Sequence, residues 1–257
     1  MIAARLGAVI TAVVMVVAGL AGSSAAGPTG DPPTYLQLNL CGNVCNGGGL
    51  AIVTKLASVI ANRQPYAVTL NEVCENQFTW LDAELAGYAG RFDPTGPICR
   101  NGARYGNAAL LRTDDVSLVG SWSLPNLAGR EPRRLMCLGG QPVGRRPLVA
   151  CVTHISTQPV DIGAQLRTVA GVLNGLIGGG ASVVLGGDFN VDPSDTRMDP
   201  LWRAGTDVAN EATFGRHRLD YVFLSCDGGS PATSDVTDPP QGLSDHKALW
   251  ATVSRCP

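Results

Sequence analysis

Between Thr34 and Val253 the apolar positions fall into short runs with two different periods. TYLQLNL at 34–40 alternates with period two and closes on Asn39, which predicts a strand delivering a polar side chain at its end. LAIVTKLASVIAN follows a glycine run and spaces Leu50, Val53, Leu56 and Ile60 as one face of a helix. AVTLNE at 67–72 is a short apolar strand ending in a carboxylate, so the local order is strand, helix, strand. NQFTWLDAELAG at 76–87 reads as helical, and a polar stretch containing glycine and proline leads to the strand GNAALLR at 106–112. RRLMCL at 133–138 and PLVACVTH at 147–154 read as neighbouring strands joined by a turn. Ile162, Leu166, Val169, Leu173 and Leu176 share one face of a helix that stops at the glycines 178–180. SVVLGGDFN, RLDYVFLS and KALWATV are the last three predicted strands.

Strand after strand thus ends in or beside a polar residue capable of chemistry: Asn39, Glu72, His154, Asp188 and Asp220. Parallel crossovers and hairpins both occur. The pattern therefore predicts an α+β architecture, a mixed sheet or pair of sheets packed between helices, with the site at the strand ends and following loops.

Ahead of this pattern stands MIAARLGAVITAVVMVVAGLAGSSAAG, in which Arg5 precedes an apolar run and Ser24 and Ala26 hold the small-residue positions before a cleavage point. A secretory signal peptide over 1–26 is expected, hence an extracellular protein; a retained anchor is disfavoured because the run is short and lacks a basic stop-transfer flank. GPTGDPP at 27–33 is a flexible leader, and 34–257 is expected to form one domain, without internal repeats or a shift in composition.

Export changes the reading of the eight cysteines, all of which lie beyond the leader: an even set in an oxidising compartment predicts disulfides. Cys137 and Cys151 flank a hairpin around Gly139, Gly140 and Gly144 and can face each other across two strands. Cys226 and Cys256 each follow an apolar strand, leaving Cys41 with Cys45 and Cys74 with Cys99 by elimination. Removing 1–26 takes away Arg5 and no acid, so the formal charge moves from −2 to −3. A global positive field is excluded, and any grip on a polyanion must be local. Arg130, Arg133, Arg134, Arg145 and Arg146 crowd one stretch, readable equally as a solvated basic face or a phosphate-facing patch.

Three motifs carry the chemistry. GGDFNVDP places Asp188 and Asn190 where the chain turns after an apolar strand; alone it is also an ordinary Asx-rich turn. RLDYVFLS puts Asp220 into an apolar strand, where an ionised group is costly unless paired. LSDHKALWATV sets Asp245 beside His246, a carboxylate for a hard cation and an imidazole for a phosphate oxygen or a proton.

Together with LNL at Asn39, LNEV at Glu72, REP at Arg130 and THIS at His154, these motifs stand in the order found in the endonuclease/exonuclease/phosphatase superfamily, which the chain resembles over nearly all of its predicted mature length. The resemblance implies a deoxyribonuclease I-like four-layer sandwich, two mixed β-sheets flanked by helices. It implies Glu72 as principal ligand of Mg²⁺ or Mn²⁺, with Asn39 and Asp245 nearby. Asp188 and Asn190 would orient the attacking water and the scissile phosphate, Asp220 would hold His246 in one tautomer, and His154 and Arg130 would face the phosphate. Two positions depart from the pattern: Cys74 stands where deoxyribonuclease I carries a DNA-contacting arginine, and no acid matches as partner of His154.

The implied reaction is metal-assisted in-line hydrolysis of a phosphodiester, with DNA as first substrate and a monomer without stable protein partner as the working state. A secreted sphingomyelinase or phospholipase is the runner-up, an inositol-phosphate phosphatase comes third, and a binding domain without turnover is the reading from another class. His217 carries no assigned role.

Overall fold

A computed structural model describes residues 32–143, 146–207, 210–225, 232–239 and 242–253. The expected signal peptide, most of the leader, Arg145 and the cysteines 226 and 256 lie outside these residues. In chain order the elements are β1 (Thr34–Asn39), α1 (Ala51–Arg63), β2 (Ala67–Cys74), α2 (Glu75–Glu84), β3 (Ala89–Ile98), β4 (Arg104–Leu111), β5 (Val116–Ser123), β6 (Arg134–Gly140), β7 (Leu148–His154), α3 (Pro159–Gly178), β8 (Val183–Asp188), α4 (Asp199–Ala204), β9 (Thr206–Asp207), β10 (Asp220–Leu224), β11 (Ala232–Thr237) and β12 (Ala248–Val253).

Two six-stranded mixed sheets result, ordered β11-β12-β1-β2-β4-β3 and β5-β6-β7-β8-β10-β9. At the centre of each lies one parallel pair joined by a helical crossover: β1 and β2 through α1, β7 and β8 through α3. Leu36, Leu38, Val68 and Leu70 pack outward against Ile52, Val53, Leu56 and Ile60 of α1, while Leu185 and Phe223 pack outward against Leu166, Val169 and Leu173 of α3. Between the sheets lies a third apolar layer that includes Tyr35, Ala67, Ala109, Val152, Val184, Val222 and Leu249. The result is the helix, sheet, sheet, helix sandwich that the sequence implied.

The sequence pattern missed β3, β5, β9 and β11. β3 contains Pro94 and Pro97 together with glycines, which read as loop; it pairs only with β4, and an edge strand tolerates proline because one side of its ladder is unused. β5, β9 and β11 are edge strands too, and none shows a run of alternating apolar residues.

Strand period two explains how the site is delivered. On β1 the inner-face residues are Tyr35, Gln37 and Asn39; on β2 they are Ala67, Thr69 and Asn71; on β8 they are Val184, Gly186 and Asp188. Each inner face runs from apolar core through a polar or small residue to the site. Gly186 is required there, since a Cβ would lie 1.9 Å from Thr69 Oγ1 of the opposite sheet.

Candidate active site

Asp188 is the last residue of β8, and its cross-strand partners are Asp220 on antiparallel β10 and His154 on parallel β7. Directly opposed residues point to the same face, so three dispersed motifs meet as a row of side chains. His246, just before β12, closes the group: its Nδ1 lies 2.7 Å from Asp220 Oδ2, and its ring packs 4.7 Å from that of Phe214. Nε2 of His154 and Nε2 of His246 approach the same oxygen, Asp188 Oδ2, at 3.5 and 3.6 Å.

Underneath runs a buried polar layer. Gln37 Nε2 donates to Asp220 Oδ1 (3.1 Å) and to Asn71 Oδ1 (2.8 Å), and that same oxygen accepts the backbone N–H of Asp188 at 2.8 Å. Thr69 donates to Gln37 Oε1 at 2.7 Å, and Asn71 Nδ2 donates to Asn107 Oδ1 at 3.0 Å. Both acids are therefore fixed from below by one hydrogen-bonded chain, which offsets the cost of burying them.

Protonation divides among the groups. Burial, then the charge of Asp220, pushes the Asp188 carboxyl up to about 7, against the pull of His246 and the donors Asn39 and Asn190. For His246 burial opposes the cation, yet the hydrogen bond and charge of Asp220, with Asp188 and Asp245, prevail and raise it to about 9. His154 goes the other way: burial first, then the charges of Arg133 and His246, hold it well below the usual imidazole value. Arg133 Nη1 lies 2.7 Å from His154 Nδ1 and 2.9 Å from Glu131 Oε1.

Asn39 joins the acids to Glu72. Its Nδ2 donates to Asp188 Oδ2 and to Glu72 Oε1, each at 3.1 Å, while its Oδ1 accepts the N–H of Cys41 at 3.0 Å. Glu72 sits at an irregularity in the β2 ladder with φ +56°, a left-handed conformation that re-aims the carboxylate toward the site. Burial and the neighbouring Glu72 charge raise the Tyr105 phenol, which hydrogen-bonds Glu72.

Two donor sets suggest themselves for a cation. Asp188, Asp220 and His246 offer ligand atoms within 4.8 Å of one another, but Asp220 and His246 already bond each other and occupy two of the three. Glu72 fits a hard divalent ion better: it is a half-buried oxygen ligand at the edge of the site, open to water and a substrate phosphate. Asn39 turns its nitrogen, not its oxygen, to Glu72, so it positions that carboxylate.

Asn39, Glu72, His154, Asp188, Asp220 and His246 are thus brought together. Asn190, at φ +53°, is bound through its backbone N–H to Asp188 Oδ1 (3.0 Å) and through Nδ2 to the Ile155 carbonyl (2.9 Å). Asp245 is exposed beside the Cys41–Cys45 disulfide that follows β1. Arg130 is exposed as well; its backbone is clasped by Asn126, and its side chain has no partner among the described residues. His217 pairs with Asp192 on the surface, 2.9 Å away. The disulfides Cys41–Cys45, Cys74–Cys99 and Cys137–Cys151 match the expected pairs, and the third joins direct cross-strand partners.

The arginine run is neither a uniform solvated face nor a uniform phosphate patch. Arg133 is buried on His154, Arg134 is tied to Asp93 at 3.1 Å and to Ser121, and Arg130 and Arg146 are exposed. Glu131, Tyr105, Gln37, Thr69, Asn71 and Asn107 were not singled out from sequence, and Arg133 was named only as one of the arginine run. The available signal was the alternation of polar residues on the inner positions of β1 and β2.

Comparison with known proteins bears on the fold that carries these residues. The profile of the "Endonuclease/Exonuclease/phosphatase family" matches residues 36–246. The search of curated proteins finds no match. Among solved structures, the human Nocturnin catalytic domain with bound sulfate superposes with a TM-score of 0.66 at 19% identity, covering 86% of this chain and 92% of that one. A mannosyl-6-phosphatase of Bacteroides thetaiotaomicron gives 0.65 at 17%, covering 86% and 99%. D. rerio TDP2 complexed with single strand DNA product gives 0.62 at 20%, covering 86% and 98%.

Proposed function

The chain belongs to the endonuclease/exonuclease/phosphatase family, whose members are metal-dependent phosphoesterases, and from that premise we propose that it is an exported phosphodiesterase acting on DNA. The carrying observation is the convergence of His154 Nε2 and His246 Nε2 on Asp188 Oδ2, at 3.5 and 3.6 Å. Neither distance is a good hydrogen bond, which leaves two ring nitrogens directed at the place where phosphoryl oxygens would lie.

In this reading water attacks phosphorus in line with the leaving oxygen. Asp188, with Asn190 beside it, orients the water and takes its proton; a carboxyl pushed up to about 7 is matched to that task near neutral pH. The P–O bond to the leaving group breaks as the new one forms, and His246, kept cationic by Asp220, neutralises charge on the phosphoryl group and protonates the leaving oxygen. A Mg²⁺ or Mn²⁺ ion held by Glu72, with Asp245 and the Asn39-oriented rim nearby, supplies Lewis-acid polarisation of the phosphate when bound. Exposed Arg130 contacts a phosphate of the substrate.

DNA as substrate is supported by the sequence motifs and by the nature of one structural neighbour, a protein holding a single-stranded DNA product. The mannosyl-6-phosphatase neighbour supports a phosphomonoester alternative on the same machinery. Export is supported by the leader and by the pairing of all six described cysteines in disulfides; no helix among the described residues is long and apolar enough to cross a membrane. The test is a panel of supercoiled plasmid, RNA, sphingomyelin, inositol phosphates and sugar phosphates with Mg²⁺ or with EDTA. Nicking of plasmid in Mg²⁺ alone supports the proposal, hydrolysis confined to monoesters replaces it with a phosphatase, and no hydrolysis of any phosphoester ends it.

A further inference from the structure

Resting on the phosphoesterase reading, we propose that Arg133 is a positioning residue for the reaction: it holds His154 in the tautomer that carries its proton on Nε2, facing Asp188 and the reacting phosphate. The argument is one of donors and acceptors. A guanidinium has N–H donors and no acceptor, so the ring nitrogen it meets at 2.7 Å, His154 Nδ1, must present a lone pair. A neutral imidazole with a lone pair on Nδ1 carries its proton on Nε2. That nitrogen lies 3.5 Å from Asp188 Oδ2 and keeps an N–H for a phosphoryl oxygen.

The two site histidines are therefore backed by groups of opposite sign. Asp220 accepts from His246 Nδ1 and favours a cation, whereas Arg133 donates to His154 Nδ1 and disfavours one. His246 holds and hands over a proton; His154 gives a hydrogen bond and keeps its proton. The groups facing His154 are Arg133 ahead of β6, Asp188 at the end of β8 and His246 ahead of β12. Burial, then the Arg133 guanidinium, then cationic His246 all disfavour a second proton on His154, and of these only the guanidinium also fixes which ring nitrogen carries the one proton.

The placement of Arg133 is built rather than incidental. Its side chain is 8% exposed, Glu131 steadies Nη1 from the other side, and its Nε is buried without a partner, a cost not offset by any contact of its own. A guanidinium suits the task because it remains charged when buried.

Ring nitrogen NMR on the full ¹⁵N-labelled chain tests this without substrate, since the chain has only three histidines and single substitutions assign them. The expected wild-type result is a His154 with a bare Nδ1 and a protonated Nε2, unchanged from about pH 6 to 8, a window around the ordinary imidazole value. In Arg133→Met, His154 takes up a second proton within that window. Its kcat on the phosphodiester falls on the order of 10–100-fold, with KM altered less than about threefold. Arg133→Lys restores the bare Nδ1 and most of kcat. A doubly protonated or Nδ1-protonated His154 in the wild type overturns the proposal, as does Arg133→Met with unaltered spectrum and kcat. If Arg133→Met fails to fold, the wild-type and Arg133→Lys spectra decide. If no phosphoester is hydrolysed, the functional reading fails while the spectra still answer for Arg133.

Discussion

Asp188 and Asp220 stand directly opposite each other on antiparallel β8 and β10, both buried, and only Asp220 has an imidazole 2.7 Å away. Two carboxylates so placed share their burden unequally: Asp220 is hydrogen-bonded to His246, while burial and the charge of Asp220 push Asp188 up to about 7.

A rate profile follows from that division. Asp188 must be ionised to take a proton, so kcat/KM rises with pH through about 7; His246 must be protonated, so the rate falls again through about 9. The two apparent values belong to the interacting set rather than to either residue. Hydrolysis measured from pH 5 to 10 at saturating Mg²⁺ checks this, and a profile flat across 6–10 contradicts the assignment.

Stability has the same sign for both groups. The folded Asp188 binds its proton more tightly than an unfolded carboxyl near 3.8, so its contribution is present below that value and is lost as pH rises through about 7. The folded His246 also binds its proton more tightly than an unfolded imidazole near 6.5, so its contribution is present below 6.5 and is lost as pH rises through about 9. Thermal melts of the protein without added metal should therefore decline from pH 6 to 9. A melting temperature that climbs over this interval contradicts both shifts.

The Asp220–His246 contact also sets a tautomer. Asp220→Asn can place a donor against Nδ1, leaving the ring neutral with its proton on Nε2 and removing the cation that protonates the leaving oxygen; a loss of the order of 10⁴ in kcat is expected, by analogy with other carboxylate–imidazole pairs. His246→Ala should lose on the order of 10²–10⁴ and still fold, because Phe214 covers its place. Circular dichroism separates lost activity from lost structure. Near-wild-type turnover in either variant removes the pair from the reaction.

Much of this site was legible because its acids and histidines end apolar strands. Asn39 was found by alternation, His154 and Asp188 by standing at the end of apolar runs and Asp220 by interrupting one, and the strand order then placed β7, β8 and β10 side by side. Gln37, Thr69 and Asn71 were not found, since a polar residue inside a strand gives no sign of which sheet will cover it; their partners are 32 to 183 residues away. Arg133 was hidden among like neighbours, and only the fold distinguishes a buried guanidinium from an exposed one. Proline-bearing β3 was lost because local propensity speaks for loop and only its edge position permits a strand.

Glu72 offers a separation of function from stability. Its left-handed backbone, φ +56°, costs a non-glycine residue about 1–2 kcal/mol, whereas a glycine there costs about 0.5–1 kcal/mol of chain entropy and forfeits the Asn39 contact. The terms nearly cancel. Glu72→Gly is expected to melt within a few degrees of wild type while losing Mg²⁺-dependent hydrolysis, and calorimetric titration should show weakened Mg²⁺ or Mn²⁺ binding. Undiminished metal binding in this variant removes Glu72 from the cation site.

The disulfides should divide in the opposite sense. Cys74–Cys99 closes a separation of 25 residues and ties the end of β2 to the end of β3, so in the loop-entropy account its removal costs about 3–4 kcal/mol. Cys41–Cys45 closes only 4, worth about 2 kcal/mol on the same account. Yet Cys41 has φ +47° and its N–H orients Asn39, whose nitrogen reaches both Glu72 and Asp188. Loosening that turn frees the Asn39 amide to rotate and unsettles both carboxylates. Cys41→Ala/Cys45→Ala should accordingly lower the melting temperature less than Cys74→Ala/Cys99→Ala does, but lower kcat per folded molecule more. If activity simply follows stability across the two double variants, the Cys41 turn only cross-links the chain and does not orient the site.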